Sequence, residues 1–324
     1  MIKWGMVGNS HDASLAVFDD DKLLWASLAK DFSDVPNDPH INWTQFEVAR
    51  QSFGPPSEVV WYERPFLKTL RQWRAGQGWL YKENDIKSYI GRYGLYCPVS
   101  YTQHHLSHAA YAYYTQPHDD CAVVCLDSIG EFETLTIWHG KDNKLKKIHS
   151  QGYPHSLGLF YSAMTQRMGL VPQRDEYLVT EWAKKGEGTR LMNTMLEEIV
   201  KVNQDWYRPY IRMRHNFHRG CNWWRPELKS KQDMYDIAAA TQAVFEYCIK
   251  ILSNYAHYKT NSGKAIAFAG GGAMNKKAMD QVRKDWDNVW IPTNPGDPGS
   301  CIGCLLYTSP SPRDRTRSRM PSSA

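Results

Sequence analysis

The chain has 324 residues, 42% hydrophobic and 13% aromatic, enough for a sizeable core in one large domain or two smaller ones. Its formal charge of +5 overstates the body, because residues 306–324 carry four Arg against one Asp and leave only +2 elsewhere. A body so nearly balanced argues against broad duplex binding, and no run of about 18 apolar residues is present to span a membrane.

The opening MIKWGMVGNSHDAS lacks a basic segment followed by an apolar one, so it does not read as a signal peptide. Seven cysteines, odd in number and without framework spacing, add to the expectation of a reducing cytoplasm.

In chain order, residues 2–8 read as a strand ending at a turn, and 14–19 and 22–29 as two strands around Asp19-Asp20-Asp21. VVWYERP (59–65) reads as a short buried strand, and a helix begins at 67–73. His104 to Tyr114 has helical character, and CAVVCLD (121–127) is an apolar strand ending in an acid. A hairpin is expected over 134–140 and 144–150, and a helix over 156–170. Longer helices are expected over 191–202 and 234–257, where apolar residues recur every three to four positions. AIAFAGG (265–271) is a strand running into three glycines, followed by a helix from Asn275. VWIP (289–292) is a last strand before NPGDPGS. The same rhythm occurs twice, which predicts two α/β halves around a cleft.

Four motifs carry the chemistry. His104 and His108 lie four apart, so on a helix both imidazoles reach one ion; His105 points elsewhere. Asp127 ends a strand, where α/β clefts open, and Ser128-Ile129-Gly130 offers backbone N–H groups to an anion. GGGAMN (270–275) joins strand to helix with glycines that let backbone approach a phosphate, although it fits neither G-x-G-x-x-G nor the P-loop. NPGDPGS (294–300) sets Asp297 in a tight turn. Taken singly these read as a surface pair, a strand end, a glycine turn and a cap. Taken together they suggest one metal beside a nucleotide, with oxygen and imidazole donors that suit iron, manganese or zinc.

The order HHLSHAA, LDSIGEFETLTI, PHSLGLFYSAMTQRMGL, DIAAATQAVFE, AFAGGGAMN, NPGDPGSCIG resembles the N-terminal domain of the O-carbamoyltransferases, the family of nodulation-factor and antibiotic carbamoyltransferases. GNSHDASLAVF fits its first strand and turn, and the resemblance covers roughly residues 1–304.

The resemblance implies a two-lobed fold of the actin/Hsp70/sugar-kinase type, with lobes expected at roughly 1–130 and 131–305. It implies His104, His108, Asp127 and Asp297 as ligands of a divalent metal, iron first. Gly270, Gly271, Gly272 and Asn275 would hold the nucleotide part of a carbamoyl-adenylate, with Gly130 and Glu131 near its phosphate. His11 would be the general base, assisted by Asp12. The implied reaction moves a carbamoyl group from carbamoyl-adenylate, itself made from carbamoyl phosphate and ATP, to an acceptor hydroxyl. An ATP-dependent kinase or ATPase of the same fold, and a nucleotide-binding module without activity, are the rival readings.

Two departures stand out. DEYLVTEWA (175–183) replaces an EGKVMGLA-like run, so that family lysine is missing. Nothing corresponds to the further C-terminal domain that makes carbamoyl-adenylate. Instead the Ser/Pro/Arg-rich stretch 306–324 reads as a disordered or non-native, adapter-derived tail.

Residues 201–225 carry one Lys, five Arg and one Asp with six aromatics, a pattern that suits phosphate contacts and base stacking. Arg208, Arg212, Arg214, Trp223 and Trp224 are the acceptor-binding candidates, for a small molecule or for a nucleotide or nucleic-acid hydroxyl. Cys301 and Cys304, despite a C-x-x-C spacing, read as small helix-packing residues.

Overall fold

The computed structural model describes residues 1–203 and 210–308. Strands β1 (Ile2–Val7), β2 (Ser14–Asp19), β3 (Lys22–Leu28), β4 (Glu58–Trp61) and β5 (Val99–Tyr101) form one sheet in the order β3-β2-β1-β4-β5. The chain then continues through β6 (Asp120–Gly130), β7 (Glu133–Lys141) and β8 (Lys144–Gly152). A small antiparallel ribbon follows, β9 (Val200–Asn203) with β10 (Tyr210–Met213), and then β11 (Ala265–Ala269) and β12 (Asn288–Trp290). The second sheet has the order β12-β11-β6-β7-β8. In each sheet the first three strands run antiparallel and the fourth and fifth lie parallel on the other side of the first. The two halves therefore share one topology.

Burial explains the strand chemistry. β6 and β11 are apolar along their central residues because both faces are covered, as parallel strands require. The β2–β3 turn is closed by Asp20 at φ 54°, a conformation that Asp tolerates.

Two helices tie the halves together. The helix His104–Thr115 leaves the first sheet after β5 and packs on β6 and β11 of the second. The helix Ser300–Thr308 leaves the second sheet after β12 and packs on β1 and β2 of the first, and the two helices also pack on each other. Glycine makes this fit possible. A Cβ on Gly303 would lie 1.9 Å from the Ser107 carbonyl oxygen, and one on Gly5 would lie 1.9 Å from that of Cys301. Cys301 and Cys304 are buried in this packing, and the last turn keeps Leu305 and Leu306 in the first core beside Trp4, Phe18 and Trp61. The second core gathers Phe160, Trp224, Phe245 and Phe268.

Several elements differ from the sequence reading. The passage between sheets falls between Tyr101 and Asp120 rather than at residue 130, because β6 pairs with β7 and β11. VVWYERP is strand only to Trp61, since Pro65 at a first helical position starts the helix Pro65–Arg74. Residues 191–202 divide into helix Gly188–Glu198 and β9, where Val200 and Val202 alternate with polar neighbours. Residues 306–308 complete the last helix, and the rest of the expected tail, 309–324, lies outside the described residues.

Candidate metal centre and active-site cleft

The crossing of the two helices brings their N-terminal ends together at the junction of the halves. His104 and His108 occupy the first turns of one helix, and Asp297 sits in the 3-10 turn Asp297–Gly299 just before the other. Asp127 joins them from the end of β6. One donor atom from each of the four residues lies within 4.8 Å of the other three, and all four residues are buried.

The detail fits a cation. His104 Nε2 stands 3.2 Å from Asp127 Oδ2 and 3.2 Å from Asp297 Oδ1, and His108 Nε2 is 3.4 Å from the same Asp297 oxygen. The two Nε2 atoms face each other at 3.1 Å. Asp297 Oδ1 is buried without a hydrogen bond. Behind the ring, His104 Nδ1 faces Glu63 Oε2 at 3.5 Å, and His108 Nδ1 faces the Ser300 hydroxyl at 3.2 Å. Such backing turns Nε2 toward the centre, as in histidine metal sites.

The electrostatics agree. Burial alone would push the His104 imidazole down, yet Asp297, Asp127 and Glu63 outweigh it and hold the ring well above its usual range. Burial would raise Asp297, but His104 and His108 hold it well below the ordinary carboxylate range. Asp127 is likewise lowered against burial and the Asp297 charge, by His104 and His108. Glu63 falls to about 2: burial opposes this, and Lys68 at 2.6 Å and His104 outweigh it.

His11 lies in the β1–β2 turn at the edge of this group. Its Nδ1 is 3.1 Å from Asp12 Oδ2, and its Nε2 is 3.8 Å from Asp297 Oδ2. Burial lowers it, but the Asp12 hydrogen bond and the charges of Asp297 and Asp127 carry it up to about 9. Asp12 adopts φ 59°. His105 does not join the centre; it is buried with Nδ1 3.0 Å from the Thr136 hydroxyl.

The glycine turn borders the centre. Gly270, at φ 84°, lies so close to the Leu126 backbone that no side chain fits. Gly272 is pressed against the Leu126 side chain. Gly271 is the open member: its N–H points to Asp127 Oδ1 at 3.4 Å, and an added Cβ would meet that oxygen alone. Asn275 is occupied structurally, capping the helix Lys276–Asp285 and exchanging hydrogen bonds with Gln242. Gly130 leaves room for the His104 and His105 rings, which a Cβ would strike. The Glu131 carboxylate is taken by Arg64 of the first half, through its backbone N–H at 2.7 Å and its guanidinium at 2.7 Å.

The acceptor candidates separate. Trp224 is a core residue, 2% exposed, with its indole N–H donating to Glu198, so it offers no face for stacking. Trp223 is 52% exposed, Arg212 stacks over Tyr210, and Arg214 is exposed. Arg208 lies outside the described residues. Sequence reasoning missed Glu63, Lys68, Arg64 and Ser300. Glu63 had a usable signal, an acid just past a buried strand like Asp127, but it was absorbed into the strand VVWYERP.

A family model described as carbamoyltransferase N-terminus matches residues 62–306. An uncharacterised protein of Synechocystis is 30% identical over 347 residues, covering 93% of this chain and 56% of that protein. Nodulation protein NolNO of Sinorhizobium fredii is 23% identical over 65% of this chain and 31% of its own. Nodulation protein NolO of Bradyrhizobium diazoefficiens is 24% identical over 65% of this chain and 40% of its own. The chain thus spans about half or less of these relatives.

Among solved structures, the activator of 2-hydroxyisocaproyl-CoA dehydratase from Clostridium difficile superposes with a TM-score of 0.51 at 10% identity, covering 100% of both chains. Component A of (R)-2-hydroxyglutaryl-CoA dehydratase from Acidaminococcus fermentans gives 0.50 at 11%, covering 95% and 97%. These likenesses, with the duplicated sheets, establish the two-lobed actin/Hsp70/sugar-kinase fold. With its family model matched over most of its length, the chain belongs to the carbamoyltransferase N-terminus family.

Proposed function

We propose that this chain transfers a carbamoyl group from carbamoyl-adenylate to an acceptor hydroxyl at the junction of its halves. The observation that carries this reading is the convergence of His104, His108, Asp127 and Asp297 beside the open backbone of Gly271. The four residues would hold a divalent metal, iron first. Bound there, the metal would polarise the donor's phosphate or carbonyl and stabilise charge developing on it.

Gly271 lets the nucleotide part approach, and a nucleotide site accords with the fold neighbour whose title names bound ADPNP. His11 takes the proton from the acceptor hydroxyl as the new C–O bond forms and the carbonyl carbon's bond to the adenylate phosphate breaks, releasing AMP. Asp12 holds the imidazole by its Nδ1. The His11 proton is held mainly by Asp12, Asp297 and Asp127; a cation compensating the last two returns the ring toward the base form. Carbamoyl-adenylate itself would come from carbamoyl phosphate and ATP through the part of the relatives that this chain does not span.

The acceptor is a small molecule or a nucleotide whose hydroxyl reaches His11, which is 36% exposed. Seven free cysteines go with a cytoplasmic setting, and among the described residues no helix is long and apolar enough to cross a membrane.

Metal analysis tests the reading directly. The wild-type chain should carry near-stoichiometric iron, and His108→Ala should lower metal affinity by about 100-fold or more. A chain that takes up no divalent metal rejects the proposal. ATP hydrolysis untouched by His108→Ala would favour the phosphoryl-transfer alternative.

A further inference from the structure

Arg64, which caps the helix Pro65–Arg74, and Lys68 and Arg71 within it lie four and three residues apart and so on one side. Two of these cations are spoken for. Arg64 holds Glu131, and Lys68 holds Glu63 and the Asn9 carbonyl oxygen at 3.1 Å. Arg71 differs. It is 9% exposed, its Nε is buried without a hydrogen-bond partner, and among the described residues it forms no ion pair. Its one side-chain bond runs from Nη1 to Gln77 Oε1 at 2.9 Å. The acid whose charge reaches it, Glu63, is already held by Lys68 and His104.

The second half brings cationic and donating groups to the end of the same helix. The Tyr153 and His218 rings pack edge to face with centroids 6.2 Å apart, and the Arg71 charge is felt at both. The Arg219 guanidinium lies against Gly76, just past the end of the helix. The Tyr153 hydroxyl accepts from Asn216 at 2.6 Å, which leaves its own proton for another acceptor. A buried guanidinium without a counter-charge is costly. With its Nε unpartnered and further donors at the end of its helix, it is the complement of an oxyanion.

We propose that Arg71, with Tyr153, His218 and Arg219 opposite, forms a subsite for a phosphate or carboxylate carried by the acceptor. It rests on the carbamoyl-transfer reading only for whose anion it is. Lys68, bonded to the turn that bears His11, lies about 5 Å nearer the metal centre along the helix. An acceptor whose anionic group sits on Arg71 would present a more distant hydroxyl to His11.

The test is calorimetry and thermal melting of the chain with inorganic phosphate, cytidine 5′-monophosphate and carbamoyl phosphate at fixed ionic strength. Both phosphate and the nucleotide should bind and stabilise the wild type. Arg71→Met should lose about tenfold or more in affinity for each while its melting temperature without anion does not fall. Arg71→Lys should retain part of the binding. A melting temperature that drops in both variants without anion makes Arg71 structural and overturns the subsite, as does phosphate binding that ignores Arg71. Carbamoyl phosphate bound about tenfold more tightly than phosphate, through Arg71, assigns the subsite to the donor and overturns the acceptor claim. None of these readings depends on metal, so failure here leaves the metal test standing.

Discussion

The two halves have one strand order and put different chemistry at matching places. After β4 the chain turns through Glu63 and Arg64 into a helix; after the matching β11 it turns through Gly270, Gly271 and Gly272 into another. The first turn is filled with paired charges. The second is stripped of side chains, and its middle glycine faces open space beside Asp127. The β1–β2 turn carries His11 and Asp12, while the β6–β7 turn carries Glu131, whose carboxylate is spent on Arg64 across the cleft. Duplication provides equivalent positions, and the centre is assembled by using them unequally.

The sharpest way to break the comparison is to mutate the two matching turns. Glu63→Gln leaves Lys68, 10% exposed, without its counter-charge, and should cost about 3–5 kcal/mol of stability in urea unfolding. Gly271→Ala, whose methyl would meet only Asp127 Oδ1 at 3.4 Å, should stay within about 0.5 kcal/mol of wild type and weaken nucleotide binding instead. Equal stability losses at both positions would show that the turns do not differ in this way.

The crossing helices give the next contrast. Gly303→Ala drives a methyl into the Ser107 carbonyl oxygen and should cost about 3 kcal/mol, with reduced metal uptake as Asp297 moves from His108. Ser107→Ala, on the other helix, removes a hydroxyl bond to the Tyr62 carbonyl oxygen at 2.8 Å and should cost about 1 kcal/mol. If Gly303→Ala melts like the wild type, close approach of the helices is not what joins the halves.

The sequence carried the repeated rhythm, because apolar strands and glycine or acid turns are local signals. It also singled out four residues that the fold brings together, since helical spacing aligned His104 with His108 and strand-end and turn chemistry marked Asp127 and Asp297. The boundary between halves was not legible: β6 reads as the end of one unit and is the first strand of the next, and pairing partners are non-local. Glu63 and Ser300 meet the site at the backs of imidazole rings, a relation that no spacing encodes. Trp223 and Trp224 are adjacent and alike in sequence; only the fold sets one outside and the other in the core.

The smallest expected effect separates the two hairpin turns by pH. In the metal-free chain the His11 pKa is raised from 6.5 to about 9. A raised folded-state value means that the ring's contribution to stability is fully present below pH 6.5 and is lost as pH rises through about 9. Histidine ring titration by NMR should place His11 near that upper value, and Asp12→Asn should bring it down by removing the carboxylate charge beside Nδ1. Glu131→Gln should leave it in place, because Glu131 is held by Arg64 and is not among the groups that shift His11. A wild-type midpoint near 6.5 would mean that Asp12 and Asp297 do not hold the ring in its charged form. A high midpoint that falls on adding a divalent cation would tie the β1–β2 turn to the centre built from both halves.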